Sequence, residues 1–154
     1  MKRAVVCVGS PFGDDALGFA AAPLIEARLA PLGIPVWTLD RPGARLVQAL
    51  EGLDEVILVD AVVSGAPAGT LHRLEEEAVL RQVARHTSTH GFGLAEALAL
   101  SRRLGRGPRR WVLYGLAIAS PRAGFGLDAT LRAALPALVA AVCAQFERQE
   151  GDET

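Results

Sequence analysis

Cysteine, net charge and long apolar runs are what this sequence has least of. Its two cysteines, Cys7 and Cys143, fall in different predicted elements. They cannot make a disulfide framework and lack the spacing of a metal clip, so each reads as a small buried hydrophobe. Sixteen Lys and Arg against seventeen Asp and Glu leave a formal charge of −1, without the basic excess of a nucleic-acid binder. No apolar run reaches the roughly 18 residues that span a bilayer. The opening Met1-Lys2-Arg3 has the charge of a signal peptide, but the apolar stretch behind it stops at Gly9 and Pro11. What is present is a chain of 154 residues, 51% hydrophobic and 21% charged, enough for one core and one domain. The expectation is a cytoplasmic protein, a monomer or weak homo-oligomer, with neither nucleic acid nor membrane as partner.

Apolar runs and turn residues divide the chain. Ala4–Val8 is a short continuous apolar run, the mark of a strand buried on both faces. A Gly/Pro turn over residues 9–13 leads into a helical pattern from Asp14 to Leu29, with Leu17, Ala21, Leu24 and Arg28 near helical spacing and Pro23 placed to kink it. Pro35–Leu39 reads as a second strand, Arg45–Leu50 as a short helix, and Val56–Asp60 as the clearest buried strand. The alternation over Thr70–Leu74 suits an edge strand, and Ala78–Arg85 is of open type. His86–Gly91 is a polar loop. Gly93–Leu104 is helical and Trp111–Ile118 is a further apolar strand. Asp128 caps a last helix in which Leu131, Leu135, Leu138, Val142 and Phe146 keep helical spacing. Strands alternating with helices predict a three-layer α/β/α sandwich, with a mainly parallel twisted sheet, an edge strand and helices on both faces. One domain is expected over residues 1–148, with 149–154 as an acidic flexible tail.

In such a sheet ligands bind at the carboxyl ends of the strands. Asp60 is the most informative residue there, a carboxylate between four apolar residues and Ala61-Val62-Val63; a charge in that setting needs a partner or a task. A cap on a loop amide is the plain alternative. Asp14 and Asp15 suit the positive end of a helix dipole, but one acid meets that need and a second adds repulsion, so Asp14 is assigned to capping and Asp15 to function. His90 is either an ordinary loop histidine or the imidazole that completes a set with Asp15 and Asp60. A helical His86/His90 pair is disfavoured by the intervening Thr87-Ser88-Thr89 and by Gly91. Two carboxylates and an imidazole suit a divalent first-row metal with open coordination positions. The pattern alone therefore reaches a metal-dependent hydrolase or a metal sensor. Residues 9–13 match neither dinucleotide nor P-loop spacing, and the acids behind them would repel a phosphate. Five arginines, at 102, 103, 106, 109 and 110, read as a solvated turn, with a docking patch for an acidic partner as the alternative.

Three segments in order resemble the hydrogenase maturation endopeptidases. They are Val8-Gly9-Ser10-Pro11-Phe12-Gly13-Asp14-Asp15-Ala16-Leu17-Gly18, Val59-Asp60-Ala61-Val62-Val63-Ser64 followed by Pro67-Ala68-Gly69-Thr70, and Ser88-Thr89-His90-Gly91-Phe92-Gly93-Leu94. Gly126-Leu127 before the last helix also matches. Ser10 stands where the family usually has asparagine, and Leu39-Asp40-Arg41-Pro42-Gly43 replaces a Gly-Gly-Thr turn. The resemblance implies removal of a C-terminal extension from the large-subunit precursor of a nickel–iron hydrogenase. It implies that Asp15, Asp60 and His90 are both the metal ligands and the catalytic residues, with Asp14 as the substitute for Asp15. The metal it implies is nickel, supplied by the substrate, so that none need be bound at rest.

No serine or cysteine is paired with a base, so the expected chemistry is direct attack by water, activated by a metal or a carboxylate, rather than a covalent route. The competing readings are a nickel-binding or chaperone-like maturation factor that cuts nothing, and a related peptidase with another substrate.

Overall fold

The computed structural model of the protein describes residues 1–9, 16–40, 43–83, 94–118 and 127–152. Strands β1 (Arg3–Gly9), β2 (Val36–Asp40), β3 (Glu55–Val62), β4 (Leu71–Glu75) and β5 (Arg110–Ala117) form one sheet in the order β2-β1-β3-β5-β4. Helices α1 (Leu17–Leu29), α2 (Arg45–Leu50), α3 (Glu76–Val83), α4 (Leu94–Arg103) and α5 (Ala129–Asp152) cover it. β2, β1, β3 and β5 run parallel, and β4 is the antiparallel edge strand. The expected α/β sandwich with its edge strand is the architecture found.

Strand alternation splits the apolar side chains into two cores. Val5, Cys7, Ile57, Val59, Val112, Tyr114 and Leu116 join α1 and α5 on one face. Val6, Val8, Val56, Leu58 and Leu113 join residues of α2, α3 and α4 on the other. A strand that must supply both cores has no polar alternation left, which is why β1 and β3 read as continuous apolar runs.

Several elements differ in detail from the sequence reading. Among the described residues α1 begins at Leu17, with Ala16 at the N-cap position in a 3-10 turn and without a side-chain hydrogen bond. Asp14, to which capping was assigned, lies outside the described residues. The buried stripe of α1 is Leu17, Ala21, Ile25 and Leu29, a strict four-residue repeat, while Leu24 is 47% exposed. α1 stays a single helix through Pro23, which is exposed on the solvent side. The segment of open type is α3, which starts directly after β4 with Glu76 and Glu77 in its first turn, where acids complement the helix dipole.

α5 follows the expected stripe: Leu131, Leu138, Val142 and Phe146 are buried and Leu135 packs against them. The carbonyl of Asp128 accepts from the Arg132 N–H at 3.0 Å, the bond an N-cap residue makes. The helix carries on through Asp152, into the stretch expected to be a tail beyond residue 148. By length and composition Ala129–Arg148, mean hydropathy 1.5, is apolar enough to cross a bilayer, a property that counting uninterrupted apolar runs misses. In this fold its apolar stripe is turned onto the sheet and α1.

Truncating Ile25 to alanine should cost about 2–5 kcal/mol, the range for large-to-small changes in a packed core. Leu24→Ala should cost less than about 1 kcal/mol. Urea unfolding of the two variants separates the observed stripe from one running through Leu24.

Candidate functional site at the carboxyl rim

β1 leads through α1 to β2 on one side of it, whereas β3, its other neighbour, leads to β4 at the opposite edge. The chain thus diverges at the carboxyl ends of β1 and β3, the place where sheets of this kind form a crevice.

The α1 side of that crevice is set by one close approach. A Cβ built at Gly18 would lie 2.6 Å from the carbonyl oxygen of Val8 and 3.2 Å from its nitrogen. Only glycine lets the first turn of α1 press onto the end of β1. Asp14 and Asp15, in the segment joining the two elements, lie outside the described residues.

Asp60 supplies the β3 side. The strand does not end there, as expected, but continues two residues further, with Asp60 opposite Gly115, Ala61 opposite Leu116 and Val62 opposite Ala117. The carboxylate therefore stands inside the ladder with β5, half-buried, one residue beyond the last β1 pairing at Val59. Its Oδ1 accepts from the N–H of Ala61 at 2.8 Å, an interaction within the strand rather than a cap on a loop amide. By strand alternation Asp60 is on the face of Leu58, the face covered by α2, α3 and α4.

α4 brings the third element. It packs Leu94, Ala97 and Leu98 into this second core, and the short connection from Arg103 to β5 places its C-terminal end beside the start of that strand. Ten residues of helix run back about 15 Å, so Leu94 lies toward the carboxyl rim on the Asp60 face. His86 and His90, in the segment ahead of Leu94, lie outside the described residues. Among the described residues no three His, Cys, Asp or Glu side chains are close enough to hold a metal ion. Of the proposed set, only Asp60 is described.

Burial pushes the Cys7 thiol up to about 12, and the negative charge of Asp60 pushes in the same direction. The thiol is protonated at neutral pH and is no nucleophile, in line with its reading as a buried hydrophobe. Burial raises Cys143 as well.

One pair went unnoticed in the sequence. Ser64 Oγ lies 2.9 Å from His72 Nε2, and His72 sits opposite Gly115 on the far side from Asp60. The alternation of Thr70–Leu74 was the available signal, since it places His72 on the inner face with Leu74. The arginine-rich turn, by contrast, is at the other end of the sheet. There Arg102 pairs with Glu76, Arg106 lies 4.0 Å from Glu51 and Arg110 lies 3.9 Å from Glu55. A cleft of about 560 Å³ lined by Arg73, Arg109, Arg110, Trp111 and Phe146 opens at that end, away from the carboxyl rim.

A family model described as hydrogenase maturation protease matches residues 42–145. The hydrogenase expression/formation protein HupM of Azotobacter chroococcum mcd 1 is 32% identical over 151 residues, 92% of this chain and 72% of its own length. HupD of Thiocapsa roseopersicina is 37% identical over 75 residues, 48% of this chain; the match spans only about a third of that protein, 34%. The hydrogenase maturating endopeptidase HybD from E. coli superposes with a TM-score of 0.81 at 26% identity, covering 97% of this chain and 94% of that one.

Gly18→Ala should destabilise the fold by about 1–3 kcal/mol, as added volume does at a packed contact, because the new methyl meets backbone rather than a movable side chain. Iodoacetamide should leave Cys7 unmodified in the native protein and alkylate it after denaturation. The folded pKa lies above the ordinary 9.0, so the stability linked to Cys7 is whole below about pH 9 and declines as pH rises toward 12. Unfolding titrated against alkaline pH reads that slope.

Proposed function

We propose that this chain, which belongs to the hydrogenase maturation protease family, is the endopeptidase that removes a C-terminal extension from the nickel-loaded large subunit of a nickel–iron hydrogenase. The observation that carries the reading is Asp60. It is a half-buried carboxylate within a parallel ladder, at the point where the chain diverges and between the two elements whose preceding segments bear Asp15 and His90.

On this reading Asp15, Asp60 and His90 recognise the nickel that the precursor presents. Two carboxylates and one neutral imidazole cancel the charge of a divalent ion and leave positions open on it. The substrate is thereby identified by its cargo, so a precursor that has not received nickel is not a substrate. The water oxygen attacks the scissile carbonyl carbon, a carboxylate of the set takes the water proton, and the carbon–nitrogen bond breaks as the amine leaves with a proton. No residue of the chain need form a covalent intermediate, consistent with the protonated Cys7. Processing of a metal-loaded precursor fits action in the cytoplasm.

Asp15→Asn, Asp60→Asn and His90→Ala should each slow processing by roughly 100-fold or more, the scale of losing a group at the reacting centre, with the thermal midpoint little changed. The assay is incubation with nickel-loaded and nickel-free precursor, the product weighed by mass spectrometry. Only the loaded form should lose mass. Nickel binding without a shortened product would identify a non-proteolytic maturation factor instead, and normal processing by all three variants would reject the site.

A further inference from the structure

At the amino end of the sheet the edge strand stops early. The last pair of β4 with β5 is Glu75 with Val112, whereas β3 accompanies β5 back to Arg110. The chain turns at Glu76 into α3 instead of continuing the ladder. On the face that carries Ile57 and Val112, α5 packs above the sheet. Strand alternation puts Glu55, Arg73, Glu75 and Arg110 on that same face. Between the shortened edge, the start of β5 and the C-terminal half of α5 lies the cleft of about 560 Å³, within the roughly 300–1,000 Å³ of small-molecule sites.

Four arginines from three elements line it: Arg73 of β4, Arg109 and Arg110 at the entry to β5, and Arg148 of α5. Three glutamates line it too, and each has an arginine. Glu75 pairs with Arg73 at 3.0 Å, Glu55 lies 3.9 Å from Arg110, and Glu76 pairs with Arg102, which does not line the cleft. Among the described residues the guanidiniums of Arg109 and Arg148 have no ion-pair or hydrogen-bond partner. Two positive charges around one cleft are therefore left without a counter-charge.

The hydrogen bonds of the wall leave donors over. Arg73 Nε donates to the Tyr114 hydroxyl at 3.1 Å, that hydroxyl donates to Gln145 Oε1 at 2.6 Å, and Arg73 Nη1 donates to Glu75 at 3.0 Å. This chain uses the hydroxyl and the amide oxygen as acceptors and holds Arg73 and Gln145 in place over the buried Tyr114. Arg73 keeps the N–H groups of Nη2, and Gln145 keeps its amide NH2. The complement of such a wall is an acceptor-rich anion, and a guanidinium fork fits the oxygens of a carboxylate or a phosphate.

We propose that this cleft binds a small multivalent anion, a polycarboxylate or a phosphate compound, through Arg109 and Arg148, with Arg73 and Gln145 as further donors. The two uncompensated guanidiniums set its charge, at least two negative. Arg110 stands five residues, about 17 Å of strand, from Gly115, the residue opposite Asp60. The site is therefore distinct from the carboxyl rim, and its occupancy does not depend on the cleavage reading.

The test is isothermal titration of the protein with citrate and, separately, with pyrophosphate, at constant ionic strength. One equivalent of at least one probe should bind, and the probe that binds identifies the carboxylate or the phosphate class. Arg109→Ala and Arg148→Ala should each weaken binding by roughly tenfold or more, the scale of a hydrogen bond between charged groups. Arg148→Lys keeps the charge but loses the fork, and should recover part of the loss. Arg132→Ala removes an arginine of the same helix that does not line the cleft, and should bind as the wild type does. The replaced arginines are exposed, and circular dichroism verifies that each variant is folded. The protein has two tryptophans, Trp37 and Trp111. In Trp37→Phe the remaining Trp111, which lines the cleft, should change its fluorescence as the probe binds. Failure of both probes to bind, a loss with Arg132→Ala equal to that with Arg148→Ala, or binding without a response from Trp111 overturns the proposal.

Discussion

A parallel sheet buried on both faces leaves its polar groups one place to go, the ends of its strands. Every inward position along β1 and β3 is claimed by one of two cores, and an ionised group among them would have to be desolvated at a cost of several kcal/mol. Asp60 stands at the boundary of that rule. Its strand continues on both sides of it, yet the residue is half-buried rather than buried, and its carboxylate already accepts one backbone N–H. The same ladder that keeps water from Leu58 holds the carboxylate at a set height. Such preorganisation suits the metal-recognition role proposed for it.

The neighbouring parts of the rim follow from contacts of the same kind. Gly18 lets α1 touch the backbone of Val8, so the segment carrying Asp14 and Asp15 starts and finishes at the rim. α4 buries its first residue, Leu94, in the core that lies under Asp60, so the segment carrying His90 finishes on that face. Cys7 shows the cost of proximity: its thiol feels the Asp60 charge through the sheet and remains protonated. Asp15, Asp60 and His90 are far apart in sequence, and the sheet order is what brings together the elements that flank their segments. The chain belongs to the hydrogenase maturation protease family, and the proposed function rests on that gathering. The opposite end of the sheet has arginines in number, but three of them face glutamates across exposed contacts, which contribute little to stability.

Local pattern and long-range order divided the information unevenly. Apolar runs located β1, β3 and β5, because a doubly buried strand cannot disguise its composition, and alternation located the edge strand β4. The stripe of α5 was legible for a similar reason, since its periodicity continues over five residues. The stripe of α1 was misread through Leu24 and Arg28, because a helix made largely of alanine and small residues shows little contrast between its faces. α3 carries acids in its first turn, at the positive end of its dipole.

The sequence by itself determined the fold class, the strand that carries Asp60 and the family motifs, because each is written in residues close together along the chain. Only the tertiary structure decided that Asp60 lies inside its ladder, that Gly115 stands opposite it with no room for a side chain, and that His72 meets Ser64 one strand further on. Those relations depend on the register between residues 43 and 55 positions apart, and register is set by how two cores pack against one sheet. No local spacing records it.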